Sequence, residues 1–388
     1  MRIVDIREIS VPLEGAVTNA VVNFSDHTVS LVAVVSDVIR NGRPVIGLGF
    51  NSIGRFAQSG IIRTRMIPRL LAAEPASLLV QSGQRFDAAQ VLATVLRNEK
   101  PGGHGDRAGA AAAIEQAIWD LNAKLGDEPA YVTIARAFGR EPVSMPVEVY
   151  TGGGYYYEPG NAMTIQDEFL SYREMGFESF KMKIGGASLA QDMKRIEQAL
   201  RVAGSPDKLM VDSNGRFDLP TALAYARALK PLGLRWFEEI GDPLDYQLNH
   251  DVIQAYGRPV ATGENLFSSI DTLNLVRFGG MRPGIDIFQM DPGLSYGITE
   301  YARMIEILEA HGYDRKQAIP HGGHLINLHI VVGMGLGACE AYPGVFQPFG
   351  GYSKACEIRD AKVRPSDAPG FGLEQKDGLI PFIRELNA

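Results

Sequence analysis

Leu209-Met-Val-Asp-Ser-Asn-Gly215 is an apolar run that ends in an acid, Asp212, and breaks at once into turn residues. A buried parallel strand delivers a charged group to its carboxyl end in this way. The pattern returns downstream at even spacing. Trp236-Phe-Glu-Glu239 puts Glu238 26 residues after Asp212, and Val260-Ala-Thr-Gly-Glu264 puts Glu264 26 residues further on. In a parallel barrel all strand ends meet on one face, so the three carboxylates are predicted to share one hard cation. An all-oxygen set without His or Cys selects Mg²⁺, and Mn²⁺ also fits.

From about residue 145 the chain alternates strand and helix. Predicted strand ends fall near Tyr150, Lys183, Asp212, Glu238, Glu264, Asp291, His321 and Glu340. Most intervals have the length of a strand–helix unit. The helices between them close with glycines, among them Gly204, Gly257 and Gly279. The expected fold is α/β: a (β/α)7β modified TIM barrel over 141–345. An α+β capping domain, 1–140, precedes it and a tail, 346–388, returns to that domain. The first 50 residues read as antiparallel strands, with a turn-rich loop at Gly15–Ala20 and a hairpin signal at Gly47-Leu-Gly-Phe-Asn51. Residues 57–126 carry helical periodicity that Gly126 ends.

Bulk properties exclude several classes. The 388 residues suit one barrel plus a smaller domain. A formal net charge of −7 argues against nucleic acid and anionic membranes. The sequence has no 18-residue apolar run and only two cysteines, so a cytoplasmic protein without a membrane span is expected.

The other strand ends supply acid–base chemistry. Strand alternation points Lys181 and Lys183 to the same side, a costly arrangement unless anions face them. Their proximity is expected to lower a lysine pKa and make a neutral amine available as base. His321, in Ile319-Pro-His-Gly-Gly-His324, is a natural acid near neutral pH, and Asp291 on the preceding strand can fix its tautomer. Asn214 either orients a ligand or forms an Asx turn. His324 either serves the site or caps a helix. His27, His250, His311 and His329 read as structural.

These residues resemble the enolase superfamily and its mandelate-racemase-like branch. The resemblance is carried by Lys181-Met-Lys183, Asp212-Ser-Asn214, Trp236-Phe-Glu238-Glu239, Gly263-Glu264-Asn265, Asp291 and Pro320-His321-Gly-Gly. It implies that Asp212, Glu238 and Glu264 bind Mg²⁺, which chelates a substrate carboxylate and stabilises an enediolate. It further implies that Lys183 is the base, that Lys181 neutralises the carboxylate, and that His321 with Asp291 protonates a departing β-hydroxyl. A His before Leu, as in His324-Leu325, would instead suit a racemase. The stretch from Asp291 to Gly297 holds no lysine, which counts against a dipeptide epimerase.

The expected enzyme is a hydro-lyase acting on a small hydroxy diacid, with D-tartrate going to oxaloacetate. The alternatives are a dehydratase of a longer acid sugar and a racemase or epimerase of a 2-hydroxy acid. Asn19, Asn51, Lys100, Tyr155 and Glu340 are the remaining candidate substrate contacts. The resemblance also implies a homo-oligomer of even number.

Overall fold

The computed structural model describes residues 1–15, 17–157 and 163–387. Ala16, in the predicted turn-rich loop, lies outside them. Four strands come first: β1 (Ile3–Pro12), β2 (Val17–Thr18), β3 (Thr28–Arg40) and β4 (Arg43–Phe50). An antiparallel sheet forms in the order β1-β3-β4, with the buried run Val29–Val35 at its centre. The long Ala-rich helix Asp106–Leu125 packs on β4 and is buried all round from Ala108 to Ala123.

The hairpin expected at Gly47–Asn51 is not there. The β3–β4 turn is Asn41-Gly42, both with positive φ (51° and 74°), the conformation a two-residue hairpin demands. Gly47 and Gly49 serve a different purpose, close approach of the helix. A Cβ on Gly47 would lie 2.0 Å from the Ala117 carbonyl, and one on Gly49 2.4 Å from that of Ala113. At two predicted helix stops the left-handed residue is the next one: Asp127 after Gly126 and Gly280 after Gly279.

The second half is a ring. Strands β5 (Val147–Gly153), β7 (Phe180–Lys183), β8 (Leu209–Asp212), β9 (Trp236–Glu238), β10 (Val260–Thr262), β11 (Ile287–Phe288) and β12 (Cys339–Ala341) are parallel. Their order is β12-β5-β7-β8-β9-β10-β11, and the short β6 (Tyr156–Tyr157) follows β5 outside it. Residues 318–319 close the gap: the Ile319 N–H donates to the Phe288 carbonyl at 2.9 Å, and Gly337 N–H to that of Ala318 at 3.0 Å. They act as the seventh of eight strands. Seven helices make the crossovers, from Ile165–Glu174 to Leu325–Met334. Tyr150, Met210, Trp236, Ala261, Ile319 and Ala338, with Ile287 against them, form a core cluster separate from the rest. One residue from nearly every strand meets there, as a filled barrel requires.

Two links join the halves near the strand ends. Strand β2 pairs antiparallel with β6, Val17 opposite Tyr157, and the Ser52 N–H donates to the Gly293 carbonyl at 3.2 Å. The tail makes a hairpin of β13 (Ile358–Arg359) and β14 (Lys362–Val363), and β14 pairs antiparallel with β5. It then returns to the first sheet, where Arg7 donates to the Leu386 carbonyl at 2.6 Å. No helix among the described residues is long and apolar enough to cross a membrane.

The helix–sheet contact gives a stability test. Gly49→Ala is expected to cost about 1–3 kcal/mol through overpacking, read as a lower midpoint in thermal or urea unfolding. Gly60→Ala, where a Cβ meets nothing within 4 Å, is the control and should not lower it.

Candidate active site

Alternation along the strands explains why one end of the ring is polar. Side chains two residues apart share a face. Two positions after the inward residues Met210, Trp236, Ile287, Ile319 and Ala338 come Asp212, Glu238, Gln289, His321 and Glu340, all buried. Lys181 lies beside Met210 in the ladder, and Lys183 beside Asp212. Glu264 falls just past β10, after Gly263, whose φ of 127° is the turn that a residue with a Cβ would resist.

Asp212, Glu238 and Glu264 offer carboxylate oxygens that all lie within 4.8 Å of one another. The Lys181 ammonium is bonded to Glu238, lies 2.8 Å from Glu340 Oε1 and 3.6 Å from Asp212 Oδ2. Lys183 Nζ donates to Asp212 Oδ2 at 2.5 Å and stands 5.4 Å above the Tyr155 ring. Trp236 Nε1 and Gln289 Nε2 donate to Glu238 Oε2 at 2.7 and 2.9 Å. On the far side, His321 Nδ1 lies 3.1 Å from Asp291 Oδ2, and its Nε2 lies 3.6 Å from Glu264 Oε2.

Carboxylates outnumber ammonium groups here. Asp212, Glu238, Glu264 and Glu340 face Lys181 and Lys183, and Glu239 is buried beside Glu264 and Asp212. Burial, with Asp212 and Glu340 close by, pushes Glu238 up to about 8 against the pull of Lys181. Burial and the neighbouring Glu264 and Asp212 push Glu239 well above the carboxylate range. Asp212 is held down, to about 2, because Lys183 and Lys181 outweigh its burial, and Glu340 is lowered for the same reason by Lys181 and His321. The Glu264 Oε2 atom is buried without a hydrogen-bond partner. A surplus of carboxyl groups, an orphaned carboxylate oxygen and an all-oxygen donor set fit a hard divalent cation.

The lysine expectation needs correcting. Burial alone would lower the Lys183 pKa, but the touching Asp212 carboxylate wins and raises it. The amine keeps its proton for as long as that charge stays beside it.

Other predicted contacts sort by geometry. The Asx turn is headed by Asp212, whose Oδ1 accepts the Asn214 N–H at 2.9 Å; Asn214, with φ at 50°, closes it, and its amide nitrogen lies 3.4 Å from Glu239 Oε2. The Asn214 Oδ1 is buried and unpaired, so it also stays available to a ligand. Tyr155 is buried beneath Lys183. Glu340 anchors Lys181 and accepts from Gly322 N–H and the Tyr342 hydroxyl. His324 caps the helix Leu325–Met334 and is fully buried, with its Nε2 3.1 Å from the Ser52 hydroxyl.

Asn51 uses its amide to pin its own loop, accepting from Ser30 N–H at 2.6 Å and donating to the Phe56 carbonyl at 3.3 Å. Asn19 Oδ1 accepts from the N–H groups of Val21 and Val22 in the same manner. Lys100 is exposed and outside the carboxylate cluster, but it borders a cavity of about 860 Å³ that Asn265 also lines.

Sequence reasoning missed several participants. Gln289 was findable, two residues before Asp291 on the same face. Asn265 donates to Glu239 at 2.6 Å and Glu264 at 3.3 Å and accepts from Arg55 at 2.5 Å. Neither Arg55 nor Ser52 had a local signal, because each reaches the barrel from the N-terminal sheet.

Residues 164–378 match the family described as enolase C-terminal domain-like. Arabinonate dehydratase of Saccharolobus solfataricus is 28% identical over 280 residues, covering 69% of this chain and 70% of that protein. L-talarate/galactarate dehydratase of Salmonella typhimurium is 26% identical over 367 residues, 93% of this chain and 85% of that protein. A crystal structure of a racemase from Streptomyces coelicolor with bound magnesium superposes with a TM-score of 0.78, covering 99% of each chain at 22% identity, a likeness of fold.

Removing one partner from a buried ion cluster leaves uncompensated charge. Lys181→Met should therefore cost about 3–5 kcal/mol of unfolding free energy, measured by denaturant titration without metal. An unchanged midpoint would show that Lys181 does not hold the carboxylates together.

Proposed function

As a member of the enolase C-terminal domain-like family, this chain is, we propose, a Mg²⁺-dependent dehydratase of acid sugars. One observation carries the proposal: the triad Asp212, Glu238 and Glu264 has an amine at its Asp212 end and an imidazole at its Glu264 end. The activities of the arabinonate and talarate/galactarate dehydratases support it.

Asp212, Glu238 and Glu264 would hold the metal, which would supply positive charge against a substrate carboxylate. Asp212, engaged there, would no longer hold the proton on Lys183. Lys183 takes the proton from the carbon next to that carboxylate. Lys181, fixed by Glu238 and Glu340, adds positive charge beneath the same carboxylate. His321 gives its Nε2 proton to the β-hydroxyl, the carbon–oxygen bond breaks, and water leaves. Asp291 accepts from Nδ1 and keeps Nε2 turned to the substrate. The enol left behind takes up a proton to become a 2-keto acid. Asn214 and the Tyr155 hydroxyl are the proposed contacts to the rest of the substrate.

The finer proposal is D-tartrate going to oxaloacetate. Its support is Lys100: an exposed cation without a described acidic partner, on the cavity shared with Asn265, suits a second carboxylate. A homo-oligomer of even number belongs to the same proposal. Exposed Leu244 and Ile270 on that cavity wall support an association surface, and sedimentation velocity reads it.

The test is keto-acid trapping with Mg²⁺ across tartrate stereoisomers, malate, arabinonate and galactarate. Turnover is expected to vanish with chelator. Turnover on one tartrate isomer alone supports the short diacid, whereas turnover only on five- or six-carbon acids replaces it with the relatives' substrates. Lys183→Met should abolish both turnover and deuterium uptake at the α-carbon. His321→Asn should lower turnover on the order of 10²–10⁴-fold while deuterium uptake persists. No keto acid from any of these acids would sink the reading.

A further inference from the structure

The groups behind His321 form a chain whose hydrogen-bond direction can be worked out. His324 Nδ1 accepts the backbone N–H of Asn327 at 3.3 Å. Burial holds the ring down to about 4, so it is neutral and carries one hydrogen. That hydrogen must sit on Nε2, which lies 3.1 Å from the Ser52 hydroxyl. Nε2–H therefore donates to Ser52, and the Ser52 proton is free to turn toward Asp291, whose Oδ2 borders the same space beside Gly322: a Cβ there would lie 2.7 Å from Asp291 Oδ2 and 2.8 Å from Ser52 Oγ. Asp291 Oδ1 is occupied by Gly293 N–H at 2.8 Å and the Asn327 amide at 3.3 Å. Its Oδ2 lies 3.1 Å from His321 Nδ1.

Ser52 belongs to the loop after β4, in the N-terminal half. It enters the barrel end through space that two glycines leave. A Cβ on Gly293 would lie 2.7 Å from Ser52 Cβ, and one on Gly322 2.8 Å from Ser52 Oγ. Backbone holds it there too, Ser52 N–H to Gly293 carbonyl.

We propose that Ser52 is a positioning residue for His321, directing the chain His324 to Ser52 to Asp291 so that Asp291 receives His321 through Nδ1 and leaves Nε2 for the substrate. The chemical consequence rests on the dehydratase reading above; the hydrogen-bond direction does not. The N-terminal half thus completes the acid side of the site without touching substrate. Removing the hydroxyl strands a buried Nε2–H on His324 and takes one donor from Asp291. His321 then loses the firm Nδ1 anchor that orients its ring, while Lys183 on the other side is untouched.

Two measurements on the full chain test this. In metal-free protein labelled with ¹⁵N-histidine, wild type should show His324 as the Nε2–H tautomer, and Ser52→Ala should shift ring nitrogens of both His324 and His321. Identical spectra, or an Nδ1–H tautomer in wild type, would overturn the proposal. In turnover, Ser52→Ala should lower keto-acid release about 10–100-fold, the usual effect of removing an outer partner, with deuterium exchange at the α-carbon retained. Parallel loss of both, or loss of neither, would overturn it. Should Ser52→Ala fail to fold, Ser52→Cys keeps the volume with weaker hydrogen bonding and is read in the same two ways. A wild type that releases no keto acid sinks the dehydratase reading and leaves the nitrogen spectra to decide the chain.

Discussion

Buried carboxylate in excess of buried ammonium is the constraint around which this molecule is built. Charge of that kind is costly in a low-dielectric interior unless each group has a partner. The barrel answers with two lysines on β7, donors from Trp236 and Gln289, and the backbone of the strand-end turns. One orphaned oxygen on Glu264 remains. Family membership and the three-acid spacing then have a common physical meaning: the fold gathers carboxyl groups that a cation reconciles in their ionised form.

The two flanks of that cluster are held differently. On the lysine side the strands run in register over several pairs, and Lys183, Asp212 and Glu238 lie on successive neighbours. On the histidine side the support is side-chain and loop chemistry, with Asp291, Asn327 and Ser52 around His321. Some backbone strain falls nearby: Asn214, Glu239 and Tyr296 adopt positive φ without being glycine.

Much of this was legible in the sequence. The triad could be read from three strand ends at equal spacing, and the eight-stranded ring from the rhythm of strands and helices. What escaped was set by contacts distant along the chain. Gly47 and Gly49 look like a turn until the helix at Ala113 and Ala117 is seen against them. Asn51 looks free until Ser30 and Phe56 close on its amide. The Lys183 pKa moves opposite to expectation because Asp212 touches the amine more closely than Lys181 can repel it. No periodicity encodes such pairings.

The seventh strand joins its neighbour β11 through a single bridge, Phe288 to Ala318, whereas β7 and β8 share four paired residues. His321 thus hangs from the most sparsely laced part of the ring, and the cation cluster from the most tightly laced. Evolution can therefore revise the proton donor without unpicking the anion-rich half. A chain built on this plan carries a firm chassis with an exchangeable tool, and new chemistries should arise first along that loose seam.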